Sequence, residues 1–397
     1  MKYVVLLGDG MADYPLDELD GLTPLQAADT PNMDLAASNG QCGLAITIPR
    51  DMPPGSDVAN LSILGYDPGK YYSGRGPLEA ASIGVQLGPD DIAFRCNLIT
   101  ETDGMIADYS ASHITTEEAG ELIKLVDEKL GSSTVKFHPG ISYRHLLVLS
   151  NSQCQDVQCT PPHDQVGGKV KDFLPIGKGS ELLIQLINDS RPILETSNIN
   201  KMRAQTGKNM GNMIWPWAQG RAPTMPTLKE MYGLEGSMIS AVDLLKGLGV
   251  YAGLEVIDVP GATGYLDTNY QGKAEAAIQA LGSGDFVYVH VEAADEAAHI
   301  GDLDAKIKAI EDFDHKVVGP ILEGLSAFEE YKVLIMPDHR TPIKLRTHTH
   351  DPVPFVVLSS NDAKDEVTEY NEFSVENGSL GIVNGHQIMN YLINGTF

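Results

Sequence analysis

Short apolar runs and longer amphipathic segments alternate along most of the chain. The apolar runs have the length and composition of buried strands, and they cover residues 2–7, 42–48, 285–291, 331–336 and 355–358. Helical hydrophobic spacing is found over residues 24–39, 240–248, 274–281 and 304–325. From residue 238 onward the alternation is strict. Strands that alternate with helices predict a mainly parallel sheet with helices on both faces.

The stretch between residues 71 and 224 follows a different pattern. Strands are predicted at residues 92–99, 135–137 and 143–149, and helices at residues 115–130 and 179–194. Residues 198–227 are polar and predicted to be a loop, in which Trp215 and Trp217 would form a substrate clamp or a domain seam. We therefore predict a discontinuous core of residues 1–70 and 225–397, with a smaller α+β domain of residues 71–224 inserted into it.

Composition and charge narrow the class of protein. The 397 residues are 42% hydrophobic, enough for two domains with buried cores. The 54 acidic residues outnumber the 28 basic ones, and the net charge of −26 argues against a nucleic-acid partner. No apolar run approaches the roughly 20 residues that span a bilayer, and no signal segment precedes the first strand. Four cysteines without a CxxC pair suggest no disulfide framework. These features predict a cytoplasmic protein without a membrane partner.

Metal-ligand side chains follow three of the predicted strands. They are Asp9, Asp295, His299, Asp338 and His339, with His348 and His350 on a later loop. The carboxyl ends of parallel strands meet at one edge of a sheet, where ligands bind in open α/β folds. Asp295 and His299 are four residues apart and would share one face of a helix. Mixed carboxylate and imidazole ligands suit Mn²⁺, Zn²⁺ or Fe²⁺. So many candidate ligands indicate two ions, an arrangement used for in-line phosphoryl displacement.

Ser56 has two interpretations. It follows Pro53-Pro54-Gly55 at the predicted start of a helix, where a serine most often serves as the N-cap. The same position suits a nucleophile, because the amides of a helix N-terminus attract a phosphoryl group and a nearby metal would lower the pKa of the hydroxyl. The residues alone leave both interpretations open.

Six motifs together are similar to a known family. They are Gly8-Asp9-Gly10-Met11, Pro54-Gly55-Ser56-Asp57, Gly74-Arg75-Gly76-Pro77, Asp295-Glu296-x-x-His299-x-Gly301-Asp302, Asp338-His339-x-Thr341-Pro342 and His348-x-x-Asp351-Pro352-Val353-Pro354. The set resembles the archaeal-type, cofactor-independent phosphoglycerate mutases of the alkaline phosphatase superfamily, over nearly the whole chain. The resemblance implies an alkaline-phosphatase-like, doubly wound, mainly parallel α/β sheet with the inserted α+β domain as a lid.

The resemblance also implies a ligand set and a reaction. One metal would be held by Asp295, His299 and His348, and the other by the set Asp9, Ser56, Asp338 and His339, with His350 as a neighbour. Ser56 would carry a phosphoserine intermediate while 3-phosphoglycerate and 2-phosphoglycerate interconvert. The expected cofactors are two divalent ions, Mn²⁺ ahead of Zn²⁺, Mg²⁺ and Co²⁺, and no bisphosphoglycerate is required.

Further residues are expected to bind the small phosphorylated substrate. Lys246 is placed near the phosphoryl group and Arg75 is counted with the catalytic residues. The candidates for the substrate carboxylate are Arg75, Arg95, Arg144, Arg221 and His113. A net charge of −26 makes local cations necessary for an anionic substrate.

One segment departs from the family pattern. In residues 108–114, tyrosine, serine and histidine stand where the mutases resembled carry arginines. Together with Pro161-Pro162-His163-Asp164, this version is similar to a bacterial subgroup proposed to make phosphohomoserine. The mutase is the first hypothesis, a homoserine phosphotransferase the second, and a metal-dependent phosphomonoesterase the third.

Overall fold

The computed structural model describes residues 1–150, 154–361 and 364–397. The chain divides into two compact units, and the boundaries between them fall in the segments where the composition changes. Unit 1 comprises Met1–Tyr72 and Thr224–Phe397, and unit 2 comprises Ser73–Pro223.

Strands and α-helices of the described residues are numbered in chain order. The strands are β1 (Lys2–Gly8), β2 (Gln41–Ile46), β3 (Ile92–Thr102), β4 (Met105–Asp108), β5 (Val135–His138), β6 (Arg144–Leu149), β7 (Met213–Gly220), β8 (Gly236–Ile239), β9 (Glu255–Val256), β10 (Phe286–Val291), β11 (Tyr331–Met336), β12 (Val353–Ser359) and β13 (Gly381–Asn384). The helices are α1 (Pro24–Ala27), α2 (Pro31–Asn39), α3 (Ser56–Ile63), α4 (Pro68–Tyr71), α5 (Arg75–Ser82), α6 (Thr116–Leu130), α7 (Ser180–Glu195), α8 (Asn198–Gln205), α9 (Leu228–Tyr232), α10 (Asp243–Tyr251), α11 (Tyr270–Leu281), α12 (Ala293–Ile300), α13 (Leu303–Phe313), α14 (Gly319–Leu325) and α15 (Gly385–Asn394). A π-helical turn joins α13 to α14.

Unit 1 is built on one large sheet with the strand order β13-β2-β12-β11-β1-β10-β8-β9. β12 runs antiparallel to both of its neighbours, and the other pairings are parallel. Val4 and Leu6 of β1 face a core formed with α2, α11 and α13, while Val5 and Leu7 are equally buried on the opposite face. On that face α10 contacts β8 and α15 contacts β11. The predicted doubly wound, mainly parallel α/β sheet is confirmed.

Unit 2 contains an antiparallel sheet in which β3 is central. β6 and β7 flank β3, β5 pairs with β6, and β4 pairs with the end of β3. Helices α6 and α7 pack on this sheet and bury its apolar side chains, among them Phe94 and Leu147. This is the inserted α+β fold expected from the sequence.

The loop prediction for residues 198–227 was wrong. Helix α8 and strand β7 both lie in this segment. Among the described strands β7 pairs only with β3, so Pro216 lies on an edge strand, where its missing N–H is tolerated. Trp215 and Trp217 belong to the core of unit 2 and are 1% and 6% exposed. They are therefore packing residues and do not form the surface that the sequence suggested.

Buried His145 on β6 should make the protein sensitive to acid. Its Nδ1 accepts a hydrogen bond from the Gly140 N–H at 3.0 Å, and burial lowers the pKa of His145 to about 3. The unfolded chain binds a proton near pH 6.5 and the native state does not, so this contribution to stability is present above pH 6.5 and is lost as the pH falls toward 3. We expect His145→Gln to reduce the slope of unfolding free energy against pH in that window by on the order of 1 kcal/mol per pH unit. Urea unfolding of both proteins from pH 7 to pH 4 measures the slopes, and equal slopes would contradict the assignment.

Candidate metal centre

Three neighbouring strands end together at the carboxyl edge of the sheet in unit 1. β1 lies between β11 and β10 and is parallel to both. Asp9 directly follows β1, and its N–H donates to the carbonyl of Val291 at the end of β10. Asp338 and His339 follow β11, and Asp295 lies in the first turn of α12, which follows β10. The parallel topology therefore brings together side chains that are up to 330 positions apart.

Gly10 permits the close approach of the loop after β1 to α12. Its φ is +63°, and a Cβ at this position would lie 2.7 Å from Asp295 Oδ1. Its N–H donates to Asp338 Oδ1 at 3.2 Å. A larger residue would be strained and would displace the Asp295 carboxylate.

The first ligand group consists of Asp295, His299 and His348. The Nε2 atom of His299 lies 3.1 Å from Asp295 Oδ2 and 3.0 Å from His348 Nε2, and His348 Nε2 lies 3.4 Å from Asp295 Oδ1. His299 Nδ1 is 2.9 Å from the Arg346 carbonyl, which can only accept, so this nitrogen carries the proton and Nε2 is free to bind a metal. The three ligand atoms lie within 4.8 Å of one another.

The second ligand group consists of Asp9, Asp338 and His339, and all three side chains are fully buried. His339 Nε2 lies 3.5 Å from Asp9 Oδ1 and 3.4 Å from Asp338 Oδ2. The Ser56 hydroxyl is 3.1 Å from the same nitrogen. Ser56 is the first residue of α3 and Gly55 is the N-cap, and the Ser56 side chain makes no capping bond. The N-cap interpretation of Ser56 is therefore wrong.

His290 forms a third group with Asp9 and Glu292, and the sequence did not indicate it. It lies inside β10, its Nε2 is 2.9 Å from Asp9 Oδ2, and its Nδ1 is 3.2 Å from the Ser240 hydroxyl. Burial lowers the pKa of His290 to about 3, so the imidazole is neutral. Its position orients the Asp9 carboxylate and directs Oδ1 toward His339. In the sequence, the only indication of this role of His290 is a histidine within an otherwise apolar strand.

Asp338 is oriented in a similar way by Asn60 on α3. Asn60 Nδ2 donates to Asp338 Oδ2 at 2.9 Å and to the Ser56 carbonyl at 2.8 Å. The buried Tyr288 hydroxyl donates to Asn60 Oδ1 at 2.5 Å. Such outer hydrogen bonds fix the direction of a ligand's lone pairs.

The electrostatics of the site fit bound cations. Burial, followed by repulsion from Asp338, Asp295 and Glu292, raises the pKa of Asp9 well above its ordinary value. Asp9 Oδ1 is buried and has no hydrogen-bond partner among the described residues. Buried carboxylates crowded in this way are costly unless a positive charge compensates them. The mixed oxygen and nitrogen donors suit divalent transition metals.

In the first ligand group, side chains of the protein neutralise part of the negative charge of the carboxylate. Burial raises the pKa of Asp295, but hydrogen bonds from His299 and His348 outweigh it and hold that pKa well below its ordinary value. The hydrogen bond to Asp295 in turn raises the pKa of His299 to about 9. A metal at this group would replace the second proton of His299, the one that Nε2 donates to Asp295, while the Nδ1 proton stays hydrogen-bonded to the Arg346 carbonyl.

The remaining candidate cations have identifiable partners. In unit 1, Lys246 Nζ is 2.6 Å from Asp258 Oδ1. In unit 2, Arg95 Nε is 2.9 Å from Glu79 Oε1, and Arg221 donates to the Pro89 carbonyl and lies 3.4 Å from Asp90. The Arg144 guanidinium lies over the Tyr143 ring at 5.2 Å.

The predicted residue His113 belongs to an aromatic cluster in unit 2, which we define as Tyr109, His113, Tyr143, His163 and Trp217. Tyr109 makes edge-to-face contacts with His113, Tyr143 and His163. Arg95 stacks on the Trp217 ring at 4.5 Å. The charges of Arg75 and Arg144 act on Arg95, so three of the predicted arginines lie in one region of the unit. His163 was not among the predicted site residues.

The loop that carries His113 is held in an unusual conformation. Ala111, Ser112 and His113 have φ values of 49°, 56° and 47°. The Asp108 carboxylate accepts hydrogen bonds from the Ser110 and Ser112 N–H groups and from the Ser110 hydroxyl. Left-handed backbone at successive residues other than glycine persists only where the surroundings impose it, and it is common at ligand sites.

Carboxylate and imidazole groups around a serine hydroxyl, at the carboxyl edge of a mainly parallel sheet, define a metal-dependent enzyme of the phosphotransfer type. The chain belongs to the family of 2,3-bisphosphoglycerate-independent phosphoglycerate mutases. The model of that family matches residues 37–200. The mutase of Methanosarcina acetivorans is 56% identical over 395 residues, which cover 99% of this chain and 100% of that protein.

Two solved structures are similar to the chain over nearly its whole length. The cofactor-independent phosphoglycerate mutase of Thermoplasma acidophilum has 30% identity and a TM-score of 0.69, with 99% of each chain covered. A protein from Pyrococcus horikoshii has 30% identity and a TM-score of 0.86, with 99% of this chain and 96% of the other covered. The family favours the mutase hypothesis over the other two activities. Within the described residues, every helix is too short or too polar to cross a membrane.

Proposed function

We propose that the protein interconverts 3-phosphoglycerate and 2-phosphoglycerate through a phosphoserine on Ser56. The observation that carries this proposal is the position of the Ser56 hydroxyl. Ser56 is the first residue of α3, and its hydroxyl lies 3.1 Å from His339 Nε2. The carboxylates of Asp9 and Asp338 lie beside the same imidazole nitrogen. A serine placed this way in a member of a mutase family is the natural acceptor of the phosphoryl group.

The two ligand groups would hold one divalent ion each. Asp295, His299 and His348 would bind the first, and the set Asp9, Ser56, Asp338 and His339 would bind the second. Mixed carboxylate and imidazole donors suit divalent transition metals, and we take Mn²⁺ as the first choice from the family resemblance, with Zn²⁺, Mg²⁺ and Co²⁺ next. Bound divalent ions neutralise the charge of a transferring phosphoryl group and lower the pKa of a coordinated hydroxyl. No bisphosphoglycerate is needed, because Ser56 itself stores the phosphoryl group.

Ser56 acts as the nucleophile in the first half of the reaction. Its oxygen forms a bond to phosphorus while the bond from phosphorus to the substrate oxygen breaks, and the proton lost by the Ser56 hydroxyl is taken up by the departing substrate oxygen. The N-terminal amides of α3 point toward the bound phosphoryl group. In the second half, the oxygen of the other glycerate hydroxyl forms a bond to phosphorus while the bond from the Ser56 oxygen to phosphorus breaks, and the proton lost by that hydroxyl returns to the Ser56 oxygen.

Cationic side chains would neutralise the substrate. We assign Lys246 to the phosphoryl group and Arg75 to the reacting end of the substrate. Arg95, Arg144 and Arg221 of unit 2, with His113, would bind the carboxylate, which gives unit 2 the role of substrate-binding lid. Glu79 and Asp90 already pair with Arg95 and Arg221, so Arg144 is the arginine on which carboxylate binding should depend most.

Arg144→Gln should weaken substrate binding more than chemistry. A hydrogen bond to a charged group is worth about 1.5–3 kcal/mol, so we expect KM to rise roughly 10- to 100-fold while kcat changes little. Lys136→Gln removes a cation from the same unit that is 3.4 Å from Asp127 and serves as the matched control. Steady-state kinetics with 3-phosphoglycerate measures both variants. Equal KM values for Arg144→Gln and the control would remove Arg144 from the site.

A substrate panel with Mn²⁺ tests the proposed function. The panel contains 3-phosphoglycerate alone, homoserine with ATP, and a generic phosphomonoester. We expect 2-phosphoglycerate to form without added bisphosphoglycerate and with little release of inorganic phosphate. Phosphohomoserine as the only product, or hydrolysis of the monoester alone, would replace the proposal by one of the other two activities.

A further inference from the structure

Thr341 lies between the two ligand groups. Its hydroxyl is 2.6 Å from Asp295 Oδ1 in the first group and 3.1 Å from His339 Nδ1 in the second. The residue is fully buried. A single hydroxyl therefore contacts one ligand of each proposed metal.

The protons of these hydrogen bonds can be assigned from geometry. A carboxylate only accepts, so the Thr341 hydroxyl must donate its one proton to Asp295. The hydroxyl then has only lone pairs to offer His339, so Nδ1 of His339 must carry a proton and donate it. That tautomer leaves the lone pair on Nε2, the nitrogen that faces the Ser56 hydroxyl and the Asp9 carboxylate.

The backbone on either side of the hydroxyl is fixed as well. The Thr341 N–H donates to the Ala12 carbonyl at 3.2 Å. The Thr341 carbonyl accepts from Lys306 Nζ at 2.9 Å, and the same ammonium is 2.7 Å from Asp13 Oδ2. Lys306 and Asp13 are fully buried. The buried ion pair thus anchors the loop after β11 to the loop after β1, and the hydroxyl has little freedom to move.

We propose that Thr341 is a positioning residue that sets the tautomer of His339 and couples the two metal-ligand groups. This inference rests on one part of the proposed function, namely that both ligand groups bind a metal ion. Loss of the hydroxyl would leave the His339 Nδ1–H without an acceptor and would free the Asp295 carboxylate to rotate. Both metal sites should then weaken together, although Thr341 itself is not a ligand.

The comparison of Thr341→Val with Thr341→Ser tests this role. Valine keeps the shape and removes the hydroxyl, whereas serine keeps the hydroxyl. Removal of an outer-shell partner typically lowers metal affinity by about 10- to 100-fold. In Mn²⁺ calorimetry, we expect Thr341→Val to lose affinity to this extent at both sites. The affinity of Thr341→Ser should fall by less than about 3-fold. Long-range ¹⁵N–¹H NMR of the metal-free proteins should show an Nδ1–H tautomer for His339 in the wild type and in Thr341→Ser, and a mixture in Thr341→Val.

Thr100→Val provides a matched control, because Thr100 is a buried threonine of unit 2 whose hydroxyl donates at 2.8 Å to the Met210 carbonyl. The proposal is overturned if Thr100→Val lowers Mn²⁺ affinity as much as Thr341→Val does, if only one of the two sites weakens, or if the His339 tautomer does not change. Thermal unfolding of the metal-free proteins shows whether each variant is folded. Metal affinity and tautomer are measured without phosphoglycerate, so failure of the mutase assignment would leave both readouts unaffected.

Discussion

Ser56→Ala should abolish mutase turnover and phosphoenzyme formation together. The hydroxyl is the group that we propose takes the phosphoryl group, and among the described residues it is the serine oxygen beside His339 and the carboxylates of the second group. Because the stored intermediate cannot form, kcat should fall by on the order of 10⁴-fold or more. Acid-quenched incubation with 3-phosphoglycerate, followed by intact-mass and peptide mass spectrometry, should find phosphate on Ser56 of the wild type and none on the variant.

Ser62→Ala is the matched control for this experiment. Ser62 lies on the same helix, α3, and is buried beside Gly385, and its hydroxyl makes no hydrogen bond to either ligand group among the described residues. This variant should keep wild-type turnover and phosphoenzyme. Residual turnover of Ser56→Ala near the wild-type rate would show direct transfer between substrate hydroxyls and would remove Ser56 as the nucleophile.

Asp9→Asn should lose activity and gain stability in the metal-free protein. Asp9 is fully buried, and repulsion from Asp338, Asp295 and Glu292 adds to burial in raising its pKa. Asparagine keeps the acceptor for His290 and removes the charge, so thermal unfolding of the metal-free variant should occur at a higher temperature than that of the wild type. A metal bound by the second ligand group would lower the free energy of the transition state by roughly several kcal/mol, so its loss should lower kcat/KM on the order of a thousand-fold or more.

Opposite effects on stability and activity distinguish a ligand from an ordinary buried acid. Differential scanning calorimetry with and without Mn²⁺ should show that Mn²⁺ stabilises the wild type much more than Asp9→Asn. Asp17→Asn removes an exposed acid from unit 1 and should change neither property. A destabilised metal-free Asp9→Asn protein, or one that Mn²⁺ stabilises as strongly as the wild type, would contradict the role of Asp9.

The family resemblance of the sequence decided the reaction class, and local patterns decided much of the fold. Apolar runs of strand length predicted β1, β10 and β11, and each run is followed within a few residues by a side chain able to bind metal. Topology rules then put those ends at one edge, because parallel strands separated by helices all point the same way. The spacing of Asp295 and His299 by four residues predicted a shared helical face, and α12 has both.

Several features depended on contacts that spacing cannot encode. β12 runs antiparallel to its neighbours, but its composition would be the same in a parallel strand. Its direction therefore depends on the course of the loop that carries His348. β7 was missed because Pro216 lies inside it and polar segments flank it, and because the strand pairs on one side only among the described strands.

The strand-end ligands can be predicted without coordinates, because strand length, helix period and motif are local properties of the chain. The tertiary structure decided how those ligands are oriented. In the sequence, His290 and Asn60 look like ordinary strand and helix residues, and Thr341 is a motif residue without an assigned role. Their roles depend on the hydrogen bonds that folding forms to Asp9, Asp338 and Asp295. These three hydrogen bonds join residues that are tens to hundreds of positions apart, so they depend on the packing of the sheet and leave no periodic signal in the chain.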